Sequence, residues 1–391
     1  MPLTITLNSL HVLALAALGV ALGEWLRARL GLLRRLSIPA PVAGGLVYAL
    51  LTLGLRGRVN FEMDMSLRNL SMIAFFTTVG LGASWRVVRR GGPQLLLYLG
   101  VATLGAVLQN GLGIVLARAF GLDPLLGIVS GSVALAGGPA TSLAFGPTFE
   151  KMGTQGAAVV GLASATFGIT VAGLLSGYTG AWLIARRRLA GPGPGPAPTV
   201  AAAADSGPVL LPAVIAIAVC MGAGNLISAA IERTGAVLPA YIGAMIAAAI
   251  LRNFDDRFGF ARLESRGVAA LGNIALYLFI VMALLTLRLW ELAALALPLF
   301  VMLAAQVALA LLLCVAISFP VMGRNYESAV MAAGYCGFML GTTANAVAAM
   351  DELDRRFGPS PQAFLTVTLV GAFLIDFTNA LIITGMANWV R

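Results

Sequence analysis

The chain has 391 residues, of which 59% are apolar and only 10% charged, with a formal net charge of +9. Mean hydropathy is +0.93 and the pI is about 10.2. A soluble domain carries about 25% charged residues, so the composition excludes one and marks an all-α polytopic membrane protein. The basic excess follows the positive-inside bias of membrane loops; with no basic stripe interleaved with aromatics, nucleic acid is excluded as a partner.

In chain order, apolar stretches predict spanning helices near 8–26, 38–55, 69–85, 94–117 and 156–185, then 209–231, 236–251, 268–288, 293–318 and 362–389. Arginines rather than small residues follow the first run, so residues 1–26 read as a retained helix, not a cleaved signal peptide. Residues 1–185 form an N-terminal repeat and 209–391 a C-terminal one. Between them, 186–208 hold Arg186-Arg187-Arg188 and a Gly/Pro alternation over 191–198, the composition of a solvated tether.

Two further segments, about 123–150 and 325–350, are each broken by glycine. Their first arms, about 124–136 and 327–340, reach roughly 20 Å at 1.5 Å per residue, short of a ~30 Å hydrocarbon core. A shorter arm is expected after each break, and each pair is drawn as a re-entrant hairpin. With the N-terminus outside, this drawing puts 17 of the 25 basic residues inside and 8 outside. The 186–208 linker is then cytoplasmic.

An odd number of spans per half makes the second half start from the opposite face, an inverted-topology repeat. Local likenesses accompany it. Ile38-Pro39 with Gly44-Gly45 answers Leu238-Pro239 with Gly243, and Gly121-Leu-Asp123 answers Gly323-Arg-Asn325. Gly131 with Gly138 answers Gly334 with Gly341, and Phe167-Gly168 answers Val370-Gly371. Asp123 before Pro124, and Asn325, read as helix caps.

The breaks are where chemistry is expected. Irregular backbone inside hydrocarbon survives only where protein or a polar cavity satisfies it, and paired broken segments point to a transporter's binding site. The tips read Gly137-Gly138-Pro139-Ala140-Thr141-Ser142 and Gly341-Thr342-Thr343-Ala344-Asn345. A half-helix starts at each, offering free N–H groups and a positive dipole end to an anionic or zwitterionic substrate. Hydroxyls and amides there also serve plain helix packing. Asp376 is the only carboxylate deep in a predicted span, with Asn379 on the same helical face. With Asn379, Thr343 and Asn110 it makes a hard oxygen set suited to Na⁺; a lone Asp suits a proton, and an interhelical tie is the structural alternative. Gln109 and Asn273 are further amides equally suited to interhelical bonding.

His11 is isolated, and Cys220, Cys314 and Cys336 lie apart in apolar segments. No transition-metal site, disulfide or cofactor is expected. The absence of a nucleophile–base pair, phosphate loop or nucleotide fingerprint argues against an enzyme. A proton-coupled or exchanging organic-anion transporter, and a membrane solute sensor that moves nothing, remain rival readings of the same residues.

These residues resemble the bacterial sodium/glutamate symporter family across nearly the whole chain. The landmarks are 38–45 (Ile-Pro-Ala-Pro-Val-Ala-Gly-Gly), 74–81 (Ala-Phe-Phe-Thr-Thr-Val-Gly-Leu), and Gln109-Asn110 with Leu122-Asp123-Pro124. Others are Leu271-Gly-Asn273 with 289–293, 334–341 (Gly-Tyr-Cys-Gly-Phe-Met-Leu-Gly), 371–376 (Gly-Ala-Phe-Leu-Ile-Asp) and Asn379-Ala-Leu381. The resemblance implies two inverted five-helix repeats with re-entrant loops, a homodimer in the bacterial inner membrane, and both termini periplasmic. It also implies Na⁺-driven uptake of L-glutamate by elevator-like movement. The tips depart from the family's Gly-Gly-His-Gly-Thr-Gly and Gly-Ala-Thr-Pro-Thr-Ala patterns, so a related amino acid or carboxylate is an equal expectation.

Overall fold

The computed structural model describes residues 3–35, 38–193, 210–233, 239, 241–261, 263–290 and 295–390. Leu238, residues 291–293, most of the 186–208 linker and Arg391 lie outside them. Among the described residues, eight helices are long and apolar enough to cross a membrane. They are Ser9–Arg29, Ser66–Arg89, Gly92–Ala119, Ala157–Arg187, Leu211–Ile231, Ser265–Leu285, Ala296–Val321 and Pro361–Val390. The spans expected at 38–55 and 236–251 are the helices Ala40–Gly54 and Tyr241–Phe258. The first is short at 15 residues, and the second ends in the charged run Arg252, Asp255, Asp256, Arg257.

One element departs from an all-helical expectation. Leu3–Leu7 and Val59–Met63 pair as a two-stranded parallel ribbon, Leu3 opposite Val59 and Leu7 opposite Met63. Each strand leads into a helix, Ser9–Arg29 or Ser66–Gly82, and the intervening chain returns to its starting end through Ala40–Gly54. That double crossing makes the two strands parallel. Both segments alternate apolar and polar residues, the period-2 signal of a strand.

The chain divides into two compact units, each drawn from both halves of the sequence. The first comprises Met1–Gly82, Pro139–Leu162 and Val209–Leu297. It is built on two helix pairs that approach backbone to backbone through small residues. In one pair, a Cβ on Gly44 would lie 1.8 Å from the Gly19 carbonyl oxygen, and one on Gly23 would lie 1.9 Å from the Ala40 oxygen. In the other, a Cβ on Gly243 would lie 2.1 Å from the Gly224 oxygen, and the Gly243 N–H donates to Ser228 Oγ at 3.2 Å. Phe76 stacks on Tyr241 with centroids 3.9 Å apart, and Gly80 lets Ser66–Gly82 close on Met245.

The second unit comprises Ala83–Gly138, Ala163–Pro208 and Pro298–Arg391. Here the helices are interrupted. Trp85–Ala119 kinks at Gly92, and π-turns occupy Val129–Val133, Cys314–Ser318 and Val370–Leu374. Cys314 and Cys336 are buried and unpaired, as is Cys220 in the first unit.

The glycine approach yields a direct test. Gly44→Ala places a methyl carbon on the Gly19 carbonyl, and overpacking of this kind costs about 1–3 kcal/mol. Thermal unfolding of the purified protein should show a clearly lowered midpoint for Gly44→Ala. Gly54→Ala, where a Cβ meets nothing within 4 Å, should stay within a degree or so of the parent.

Candidate functional site

Both broken segments open after a glycine turn, the second with Arg324 also at positive φ (57°). Gly121 and Gly323 adopt positive φ (67° and 115°), a conformation that favours glycine. The caps expected at Asp123 and Asn325 are present: Asp123 Oδ1 accepts from Leu125 N at 2.9 Å, and Asn325 Oδ1 accepts from Ser328 N at 2.8 Å. The Asn325 N–H in turn donates to Ser328 Oγ at 2.7 Å, closing a reciprocal cap.

The first arms then differ. Tyr326–Leu340 is a regular helix, buried almost throughout. Pro124–Ile128 passes into a π-turn whose Gly131 has non-helical backbone (φ −92°, ψ −127°). The second arms, Gly138–Lys151 and Thr343–Phe357, are 14 and 15 residues long, so they are not the shorter arms expected. In Thr343–Phe357 charged residues lower the hydropathy without ending the helix. In Thr343–Phe357 the buried residues are Asn345, Ala346, Ala349, Met350 and Leu353, a single stripe at helical spacing.

The tips meet within the second unit. Gly138 has φ +68°, and a Cβ there would lie 3.9 Å from the Gly341 carbonyl oxygen and 4.0 Å from the Thr342 methyl. Gly137 precedes it, its N–H donating to the Ser132 carbonyl at 2.9 Å. Ala140, Thr141 and Ser142 fill the first turn of Gly138–Lys151 and are all buried.

At the second tip the Asn345 amide is engaged on every side. Its Oδ1 accepts from the Thr342 N–H (3.2 Å) and hydroxyl (2.8 Å), and its Nδ2 donates to the Ile169 carbonyl (3.1 Å). Asn345 thus shapes the tip rather than presenting a free amide. The Thr343 hydroxyl donates to the Gly371 carbonyl at 2.5 Å, in the π-turn that precedes Asp376. Asp376 lies half-buried in the first turn of Ile375–Val390.

Asn110 and Asn379, expected beside a cation, converge on one peptide. Asn110 Oδ1 accepts from the Ser132 N–H at 2.9 Å, and Asn379 Nδ2 donates to the Ser132 carbonyl at 3.0 Å. All three residues are at most 1% exposed. Asn379 Oδ1, Ser132 Oγ and Asn110 Nδ2 have no hydrogen-bond partner among the described residues. Ser132 was not singled out by the sequence, although Ser130-Gly131-Ser132 is a polar break in an apolar run. Gln109 turns the other way, donating to the Met339 carbonyl at 2.9 Å, while its own carbonyl accepts from Gln306 Nε2 at 2.7 Å. Gln306 also escaped sequence reasoning, since one glutamine in an apolar helix carries no pattern.

Paired broken helices with capped starts and touching tips, in a helical chain of this hydropathy, define a multi-pass membrane protein of the transporter class. Comparison with known proteins is consistent with this. A family model described as sodium/glutamate symporter matches residues 5–359, a stretch that includes both tips and ends before Asp376. The chain is 40% identical over 387 residues to a sodium/glutamate symporter of Escherichia coli (strain K12) and to one of Shigella flexneri. It is 35% identical over 388 residues to one of Haemophilus influenzae. Each match covers 96% of both chains. The chain belongs to the sodium/glutamate symporter family, a family of transporters and not of enzymes.

The Ser132 arrangement can be tested by stability. Asn110→Ala leaves a buried N–H unpaired, which costs about 1–3 kcal/mol. The thermal unfolding midpoint of the purified variant should fall accordingly; an unchanged midpoint would show that the bond carries no load.

Proposed function

We propose that this protein is a Na⁺-coupled symporter of the bacterial inner membrane that takes up L-glutamate or a related amino acid or carboxylate. The observation that carries the reading is the meeting of Gly138 with Gly341 and Thr342, where two helix starts come together. The N–H groups and dipoles of such starts hold an anion without a basic side chain. Gly137, Gly138, Ala140, Thr141 and Ser142 of one tip, with Gly341, Thr342 and Thr343 of the other, form the substrate site in this reading, and Asn345, expected as a further ligand, holds the second tip in shape instead. The names and coverage of the relatives support the substrate class and the coupling ion.

Asp376, Asn379, Thr343 and Asn110 form the cation site in this reading, and Ser132 joins them. The support is chemical: Asn379 Oδ1 and Ser132 Oγ are buried oxygens without a donor among the described residues, and a hard cation uses such oxygens. Asp376 supplies the charge that offsets dehydration of the ion.

Two inverted repeats, each with a re-entrant hairpin, complete the proposal. The equivalent glycine pairs, Gly19 and Gly23 with Gly44, and Gly224 and Ser228 with Gly243, support it, as do the matching turns at Gly121 and Gly323. So does the composition of each compact unit from both halves. Both termini are then periplasmic, the 186–208 linker is cytoplasmic, the assembly is a homodimer and access alternates by an elevator movement.

Three measurements check this. Cysteine placed at Pro198 should react with impermeant label from the cytoplasmic side only; labelling from outside contradicts the topology. Gly138→Asn, which tolerates left-handed backbone, puts a side chain between the tips and should cut uptake more than tenfold without altering the elution profile. Asp376→Asn should raise the half-saturating Na⁺ concentration for uptake tenfold or more. An unchanged Na⁺ requirement refutes the sodium role and favours proton coupling.

A further inference from the structure

Gln306 is the single polar residue of Ala296–Leu313, and it is fully buried. Its Nε2 donates to the Gln109 carbonyl at 2.7 Å, whereas its Oε1 has no hydrogen-bond partner among the described residues. Chemistry fixes that orientation. A backbone carbonyl only accepts, so the amide must turn its nitrogen towards Gln109 and its oxygen away. Buried acceptors are nearly always satisfied, and one that is not points to a water or an ion.

The Gln109 carbonyl lies beside the first break. It belongs to the same peptide group as the Asn110 N–H, and Asn110 Oδ1 accepts from the Ser132 N–H at 2.9 Å. A Cβ on Gly131 would lie 2.9 Å from Asn110 Oδ1 and 3.0 Å from the Gln109 carbonyl oxygen. Glycine at 131 thus lets the break close on the very peptide that Gln306 bonds. Asn379 reaches the next residue from Ile375–Val390, donating to the Ser132 carbonyl at 3.0 Å. Four elements of the second unit therefore converge here. Three of their buried oxygens, Gln306 Oε1, Asn379 Oδ1 and Ser132 Oγ, lack a partner among the described residues, against one nitrogen, Asn110 Nδ2. Gln109 Oε1 is likewise unpartnered there, but its amide is turned to Met339.

We propose that Gln306 is a further ligand of the cation site, its Oε1 taking the ion while its Nε2 bond to the Gln109 carbonyl holds the amide in place. The inference rests on the reading that Asp376, Asn379, Thr343, Asn110 and Ser132 bind Na⁺. It brings in an oxygen from a helix to which none of those residues belongs. A hard cation is held by several oxygens, and ligand number sets how well it is held. A neutral amide adds one without a second carboxylate, so the charge stays with Asp376.

The test uses the full chain, in proteoliposomes for uptake and in detergent for unfolding, with choline replacing Na⁺. Gln306→Leu should raise the half-saturating Na⁺ concentration for L-glutamate uptake about tenfold. Na⁺ alone stabilises a protein that binds it, so the Na⁺ needed for half of its effect on the unfolding midpoint should rise by a similar factor. Gln306→Met, closer in length and also without the oxygen, should do the same and serves if Gln306→Leu does not fold. Gln306→Glu keeps an oxygen in that place but does not donate once ionised. At alkaline pH its Na⁺ requirement should stay close to that of the parent. A shift in Gln306→Glu as large as in the apolar variants would assign the effect to the lost N–H bond and overturn the ligand role. A lowered midpoint in choline with an unchanged Na⁺ requirement would make Gln306 a structural tie and also overturn it. An unchanged requirement in Gln306→Leu beside a raised one in Asp376→Asn leaves the cation site standing and gives the oxygen to a buried water, against the proposal. A raised requirement in Gln306→Leu with none in Asp376→Asn supports the ligand and removes Asp376 from the site. A parent indifferent to Na⁺ in both uptake and unfolding defeats the site and the ligand together.

Discussion

Interrupting a buried helix frees backbone N–H and C=O groups that water does not reach, and each left unpaired costs on the order of kcal/mol. The second unit depends on how side-chain amides answer that demand. Asn110 and Asn379 take the N–H and C=O of Ser132 at the first break. Gln109 takes the Met339 carbonyl near the second, and Asn345 fixes that tip to Ile169. An amide suits the task because it offers donor and acceptor without a charge to desolvate. Gln109 and Asn110 are neighbours on one helix, where consecutive residues point about 100° apart. One helix can therefore brace both broken segments, and Gln306 in turn braces its backbone at Gln109.

Much of this frame was legible in the sequence because the signals were local. Hydropathy located the spans, and the caps formed at Asp123, where Asp before Pro indicated a helix start, and at Asn325, read as one beside it. The breaks also fell where glycine predicted. What escaped was set by tertiary partners. Ser132 matters through its peptide, which two distant asparagines bracket, and no local pattern encodes that. The second arms looked short because hydropathy counts charged residues against a helix, whereas packing needs only one apolar stripe. The parallel ribbon was missed for a different reason. Its alternation was visible, but five residues at a membrane protein's margin give little weight against the neighbouring helices.

Small residues supply the complementary economy in the first unit. Lipid tails are as apolar as leucine, so helices in a membrane gain little from hydrophobic contrast and associate through close packing instead. Gly44 against Gly19, and Gly243 against Gly224, bring backbones close enough for dispersion contacts along the whole crossing. The same device serves two helix pairs of this unit. A helix pair packed this way tolerates no added carbon, so its geometry is defined by what the residues lack.

The altered tips can now be weighed physically. Proline at 139 stands at the second residue of Gly138–Lys151, where its missing N–H is no loss and its fixed φ favours helix initiation. At the other tip, Thr342 and Asn345 form a reciprocal polar lock that fixes where Thr343–Phe357 begins. Neither change removes a helix start; each specifies one more firmly. If the anion is held by backbone N–H groups and dipoles, such substitutions preserve affinity for negative charge and change only the side chains that measure the rest of the ligand. Discrimination among acidic substrates then passes to groups outside the tips.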